Sequence, residues 1–228
     1  MAFDNYGNRF QRTTPAVLNL IIINALVFIA QKVFGGIDGP ATDLFALHHY
    51  RSEYFRPYQV VTHMFMHASW LHLLFNMYAL WMFGTIVERV WGPKRFMIFY
   101  FICGLGAAMA QLAAYAFAYR IADNTVLSTE QYTLIQEVWR QTATVGASGA
   151  IMGVLAAFGY LFPNTPMMII PIPVPVKAKW VVLGIIAIDV FSGISGGDDV
   201  AHFAHVGGAL TGFLIVFFQN RMNRKTFY

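Results

Sequence analysis

Charge is what this sequence has least of. Asp, Glu, Lys and Arg make up 11% of its 228 residues and hydrophobic residues 57%, whereas a soluble domain carries roughly 25% charged residues. So little charge cannot cover a water-soluble globule, and the deficit points to lipid. Cysteine is nearly absent as well. Cys103 stands alone, which rules out an internal disulfide and a cysteine metal cluster and leaves lipid-facing or packed filler as its reading. No small-residue cleavage site follows the first apolar run, so that run is expected to be an anchor and not a removable signal peptide. No His-Glu-x-x-His pattern occurs, and no nucleic-acid motif is found, so no nucleic-acid partner is expected.

What the chain does have is apolar runs, at about Val17–Phe34, Ser69–Val87, Phe96–Ala118, Val145–Phe162, Trp180–Ile194 and Val200–Phe218. Most approach the roughly 20 residues that a membrane-crossing helix requires, and the fifth is short. The expectation is an all-α membrane protein of six spans forming one domain over residues 1–228. No hydrophilic stretch is long enough to fold alone, and no repeat is visible.

The basic residues set the orientation, because cytoplasmic loops collect Lys and Arg. Arg9 and Arg12 precede the first span. Arg89, Lys94 and Arg95 lie between the second and third, Lys177 and Lys179 between the fourth and fifth, and Arg221, Arg224 and Lys225 after the sixth. That side carries ten basic residues against Asp4 and Glu88, and the other side is net acidic. Both termini are therefore expected in the cytoplasm, with the basic face against anionic lipid headgroups.

The segments between the spans differ in character. Gly35 to Thr62 is too aromatic (Phe45, Tyr50, Tyr54, Phe55, Tyr58) to float freely and is expected in the membrane interface. Arg120 to Thr144 reads as a solvent-facing outer loop with an amphipathic stretch around Leu134–Val138. Pro163, Pro166, Pro171, Pro173 and Pro175 exclude helix from the connection before Lys179, which is expected to be extended.

Polar residues within spans carry the most information, since each is expensive in hydrocarbon. With the N-terminus inside, spans two, four and six all run inward, and their early residues share one depth near the outer surface. Those residues are His72 and Asn76, Ser148, and His202 and His205. Four or five residues into a helix is on the order of 6 to 8 Å, a depth that water can reach through a cavity.

His72 and Asn76 lie four apart, on one helix face. Ser148 sits in Gly146-Ala147-Ser148-Gly149-Ala150, followed by Gly153, and His205 is followed by Gly208 and Gly212. Small residues of this kind let helix backbones approach closely, which would bring His205 against Ser148. A serine hydroxyl needs an adjacent base to become a nucleophile, and a neutral imidazole can supply it. Negative charge building on a substrate oxygen would be met by Asn76, His72 and the Ser148 amide. Singly, each of these residues could be a packing serine, an interhelical amide or a satisfied histidine; their coincidence in depth favours a site.

These residues resemble the rhomboid family, whose pattern joins His…Asn in the second helix, Gly-x-Ser-Gly in the fourth and Ala-His-x-x-Gly in the sixth. Here they read His67-Ala-Ser-Trp-Leu-His72-Leu-Leu-Phe-Asn76, Gly146-Ala147-Ser148-Gly149 and Ala204-His205-Val206-Gly207-Gly208 with Gly212, and the likeness runs from about Val17 to Phe218. The resemblance implies a cofactor-free, metal-free Ser148–His205 dyad with no required acid. It would hydrolyse a peptide bond in or beside the transmembrane helix of a single-span membrane protein, within a bacterial inner membrane.

Met152 stands where many members carry an aromatic ring, and Tyr58-Gln59 takes the place of a Trp-Arg pair common in the first outer loop. His63 and His67 read as holding the loop to the helix, His202 as an outer neighbour of the dyad, and His48 and His49 are assigned nothing. Asp189, at the outer end of span five, could be drawn into a triad, but the family does without one. Two rivals remain. His63-x-x-x-His67, His67-x4-His72 and His202-x-x-His205 resemble the histidine boxes of a membrane metalloenzyme, although the His-x-x-His-His form is absent. An inactive rhomboid-like protein that binds membrane clients would ordinarily lack the serine or the histidine.

Overall fold

The computed structural model describes residues 13–123, 128–169, 172–195 and 201–222. Asp4, Arg9, Arg12, Pro171, Val200, Arg224 and Lys225, used above for orientation and loop character, lie outside the described residues. The first helix, α1 (Pro15–Val33), starts with proline in its first turn, where a missing N–H costs nothing. Its first amides, which have no acceptor within the helix, are capped from another helix. Glu88, itself buried, accepts from the Ala16 and Val17 N–H groups at 2.9 and 2.8 Å. A carboxylate there satisfies orphan donors and the positive end of the helix dipole together.

A short helix α2 (Pro40–Phe45), a two-residue strand β1 (Leu47–His48) and one helical turn α3 (Gln59–Thr62) build the segment after α1. Gln59, fully buried, organises it. Its Nε2 donates to the carbonyls of Asp43, Leu44 and Tyr54 at 3.2, 3.1 and 2.8 Å, and its Oε1 accepts from the His48 and Arg56 amides. So Gln59, at the departure from the family's Trp-Arg pair, anchors this loop through its amide. Gln59→Leu would orphan these buried groups and is expected to cost about 3 kcal/mol. Thermal unfolding in detergent checks this.

Helix α4 (Trp70–Trp91) is continuous, with a π-helical turn at Leu80–Gly84, and α5 (Pro93–Asp123) follows after Gly92, whose φ of +79° makes the reversal. The expected loop from Arg120 to Thr144 is corrected. Arg120 belongs to α5, and α6 (Thr129–Gln141) fills most of the remainder. Ser128 and Gln131 close a reciprocal capping box at its start. Strand β2 (Ala143–Thr144) pairs antiparallel with β1, which ties the first outer loop to the residues just before α7 (Ser148–Leu161).

The proline-rich connection is extended as expected, but as a hairpin of β3 (Pro166–Ile169) and β4 (Ile172–Lys177) and not as a bare loop. Helices α8 (Ala178–Ser195) and α9 (His202–Met222) complete the chain. The structure is thus helical with two short strand pairs, not strictly all-α. Among the described residues, α1, α4, α5 and α9 are long and apolar enough to cross a membrane.

At the centre stands α7, buried at every position from Gly149 to Gly159. Only 14 residues long, it is enclosed by protein and so need not match the thickness of a lipid layer. It is knitted to α5 and α9 by small residues. Gly149 faces the Ala107 methyl and the Ala204 carbonyl, Gly153 faces Cys103 and the Gly208 carbonyl, and Gly212 lies on the Gly153 backbone. Cys103 is therefore packed filler and not lipid-facing.

Candidate functional site

The site forms where α7 begins. The apolar run suggested a start at Val145, but Gly146 has φ of +126°, a left-handed conformation that breaks the helix pattern and favours glycine. Its N–H donates to the His63 carbonyl at 2.9 Å, so the loop before α4 holds the turn before α7. The helix starts two residues later. Ser148 is its first residue, and the Ser148 amide is one of the first-turn donors with no acceptor inside the helix.

A side chain at position 146 would intrude between two functional groups. Its Cβ would lie 2.9 Å from Cε1 and Nε2 of His72 and 3.4 Å from Ser148 Oγ. The space that glycine leaves open is bordered by the His72 ring edge and the serine hydroxyl together. Gly146, read at first only as part of a motif, thus borders the candidate site directly.

Ser148 Oγ lies 2.6 Å from His205 Nε2, a hydrogen bond between α7 and α9. That approach depends on the glycine seam, because Gly208, one turn after His205, rests against the Gly149 carbonyl. His72 Nδ1 accepts from the Ala68 N–H at 3.3 Å, which places the proton of the neutral ring on Nε2, the edge beside Gly146. Asn76, buried on the same face of α4, donates from Nδ2 to the His72 carbonyl at 2.9 Å. That bond uses one of its two amide hydrogens and leaves the second uncommitted by it.

The other histidines sort by environment. His63 Nδ1 bonds the Gln59 carbonyl at 2.8 Å, and the His67 N–H donates to Gln31 Oε1 at 3.1 Å. Burial pushes both imidazoles down to about 4, helped at His67 by neighbouring His72, so both are neutral at pH 7 and hold the loop in place. Burial also lowers His48, whose Nε2 meets the Thr42 carbonyl, and His49, whose ring stacks on Tyr50.

Met152 is buried among core residues, and the ring beside His205 is His202, edge-on at 6.3 Å. His202 in turn reaches Asp189, the residue that sequence reasoning set aside. Asp189 Oδ1 lies 2.6 Å from His202 Nδ1 and 3.0 Å from His205 Nδ1. Among the described residues these three are also the one group close enough to share a metal ion. His63, His67 and His72 form no such trio.

Residues 54–221 match the family described as Rhomboid domain. The chain is 33% identical over 211 residues to Rhomboid protease AarA of Providencia stuartii, covering 87% of this chain and 70% of that protein. It is 29% identical over 193 residues to RHOMBOID-like protein 12, mitochondrial, of Arabidopsis thaliana (85% of this chain, 55% of that one). It is 31% identical over 159 residues to the mitochondrial presenilin-associated rhomboid-like protein of Rattus norvegicus (69% and 37%). The chain spans about half or less of these two mitochondrial relatives. With a match across most of its length, the chain belongs to the rhomboid family, a family of multi-pass intramembrane serine proteases.

Proposed function

We propose that this protein is a serine endopeptidase that cuts peptide bonds in or near the transmembrane segments of single-span membrane proteins. The observation that carries the reading is the 2.6 Å contact between Ser148 Oγ and His205 Nε2 at the start of the central helix. Neutral His205 takes the hydroxyl proton as Oγ attacks the substrate carbonyl carbon, then gives that proton to the leaving amine. Water hydrolyses the resulting acyl-enzyme by the same route. The Ser148 amide, His72 Nε2–H and the second amide hydrogen of Asn76 receive the charge on the carbonyl oxygen.

Six spans with both termini in the cytoplasm place this centre toward the outer face, below the surface but open to water. The asymmetry of basic residues supports that orientation, and the similarity to the Providencia protein supports a bacterial source, for which the membrane would be the inner one. Substrate helices that unwind readily near that face, with a small residue before the cut, suit the opening beside Gly146. With a single-span substrate, Asn76→Ala is expected to lower kcat by about 100-fold with KM nearly unchanged, because the lost donor acts on charge that develops in the transition state. An equal loss through KM alone would assign Asn76 to substrate binding instead.

A further inference from the structure

We propose that Asp189 is a positioning residue for His205, so that this chain works with a Ser148–His205–Asp189 relay in which His202 braces the same carboxylate. The proposal rests on the protease reading above and adds to it. The carboxylate belongs to α8 and the two histidines to α9, and side-chain exposures of 11% for Asp189, 17% for His205 and 10% for His202 leave the group mostly shielded from water. Asp189 Oδ1 faces both Nδ1 atoms, at 3.0 and 2.6 Å.

An ionised carboxylate only accepts, so each of those contacts requires hydrogen on Nδ1. For His205 that fixes the tautomer. The proton resides on Nδ1, and Nε2, 2.6 Å from Ser148 Oγ, carries the bare lone pair that general-base catalysis needs. When the hydroxyl proton moves to Nε2, the Nδ1 proton stays in place and Asp189 faces the resulting imidazolium. The carboxylate itself takes up no proton. Without Asp189 the ring is free to adopt the opposite tautomer, whose Nε2–H cannot accept from serine.

The close approach of α8 to α9 makes the arrangement possible, since Gly193 on α8 lies against the His202 side chain. His202 occupies the same oxygen from one turn away, so it limits how the carboxylate can rotate. The titratable groups around the relay are His202 and His205 on α9 and His72 on α4, which faces His205.

The test reads the reactivity of Ser148 directly, through its rate of labelling by a fluorophosphonate in detergent. Oγ displaces fluoride from phosphorus, and the hydroxyl proton passes to His205. Wild type, Ser148→Ala, Asp189→Asn, Asp189→Ala and Asp189→Glu are compared at one pH. Labelling of wild type is expected and is lost in Ser148→Ala. Asp189→Asn and Asp189→Ala are expected to label at least about 100-fold more slowly. Asp189→Glu should restore part of the rate.

NMR of wild-type protein with isotope-labelled histidine gives an answer independent of how the variants fold. It is expected to show His205 protonated at Nδ1 and bare at Nε2, with the signal assigned by its loss in His205→Ala. An unchanged rate in the Asp189 variants, or the Nε2–H tautomer in wild type, would overturn the role of Asp189 while leaving the protease reading intact. One bound metal per chain that disappears with Asp189→Asn would also overturn it, by making the trio a metal site. Wild type that fails to label would overturn both readings.

Discussion

Gly208→Leu is expected to abolish activity while leaving Ser148 and His205 chemically intact. The nearest neighbours of the position a Cβ would take at Gly208 are the backbone atoms of Gly149, its carbonyl oxygen closest of all. Backbone cannot rotate aside as a side-chain tip can, so α7 and α9 must separate along the seam that Gly208 and Gly212 form with Gly149 and Gly153. A separation of about 1 Å breaks the Ser148–His205 hydrogen bond, and misplacement of that size costs about 100-fold or more in rate. The expected result is a protein that still purifies as a helical monodisperse species, with a lower thermal midpoint and no detectable cleavage. Normal turnover in Gly208→Leu would show that the seam does not set the distance between serine and histidine.

His205→Ala removes the base without disturbing that seam. The His205 ring is partly exposed at the site, where it meets Ser148, Asp189 and His202. Stability should therefore change little, while kcat/KM falls by about 10⁴-fold or more, because an unassisted hydroxyl is a poor nucleophile at neutral pH. Combining His205→Ala with Ser148→Ala should cost hardly more than either alone, since the two act as one unit. Additive losses would mean that serine and histidine do not work together.

The long apolar helices were legible because a run of about 20 apolar residues admits few structures. The expected runs at Val17–Phe34, Ser69–Val87 and Phe96–Ala118 correspond to α1, α4 and α5 within a few residues at most ends. The meeting of Ser148 with His205 was legible for a related reason. Glycines spaced on one face announce a close approach, and the histidine lies on that same face.

Other features were written in weaker signals. The capping box Ser128-Thr-Glu-Gln131 marks the start of α6, but its polar composition hid the helix behind an expectation of loop. Proline density rightly excluded helix before Lys179, yet could not say that β3 and β4 would pair antiparallel. The beginning of α7 was misplaced by three residues because hydropathy does not register the left-handed Gly146. Asp189 was discounted because an aspartate at the outer end of a span needs no catalytic role and the family does without one; its contact with the two histidines depends on α8 and α9 packing side by side, which no local pattern encodes. Gln59 likewise reads as an ordinary polar loop residue until its buried amide is seen holding five loop groups.

The most direct test of the account is cleavage of a single-span membrane substrate by the purified protein and by Ser148→Ala, each with and without a metal chelator. The account predicts cutting by wild type alone, unaffected by chelator. Cutting that survives Ser148→Ala, or that the chelator abolishes, would contradict it.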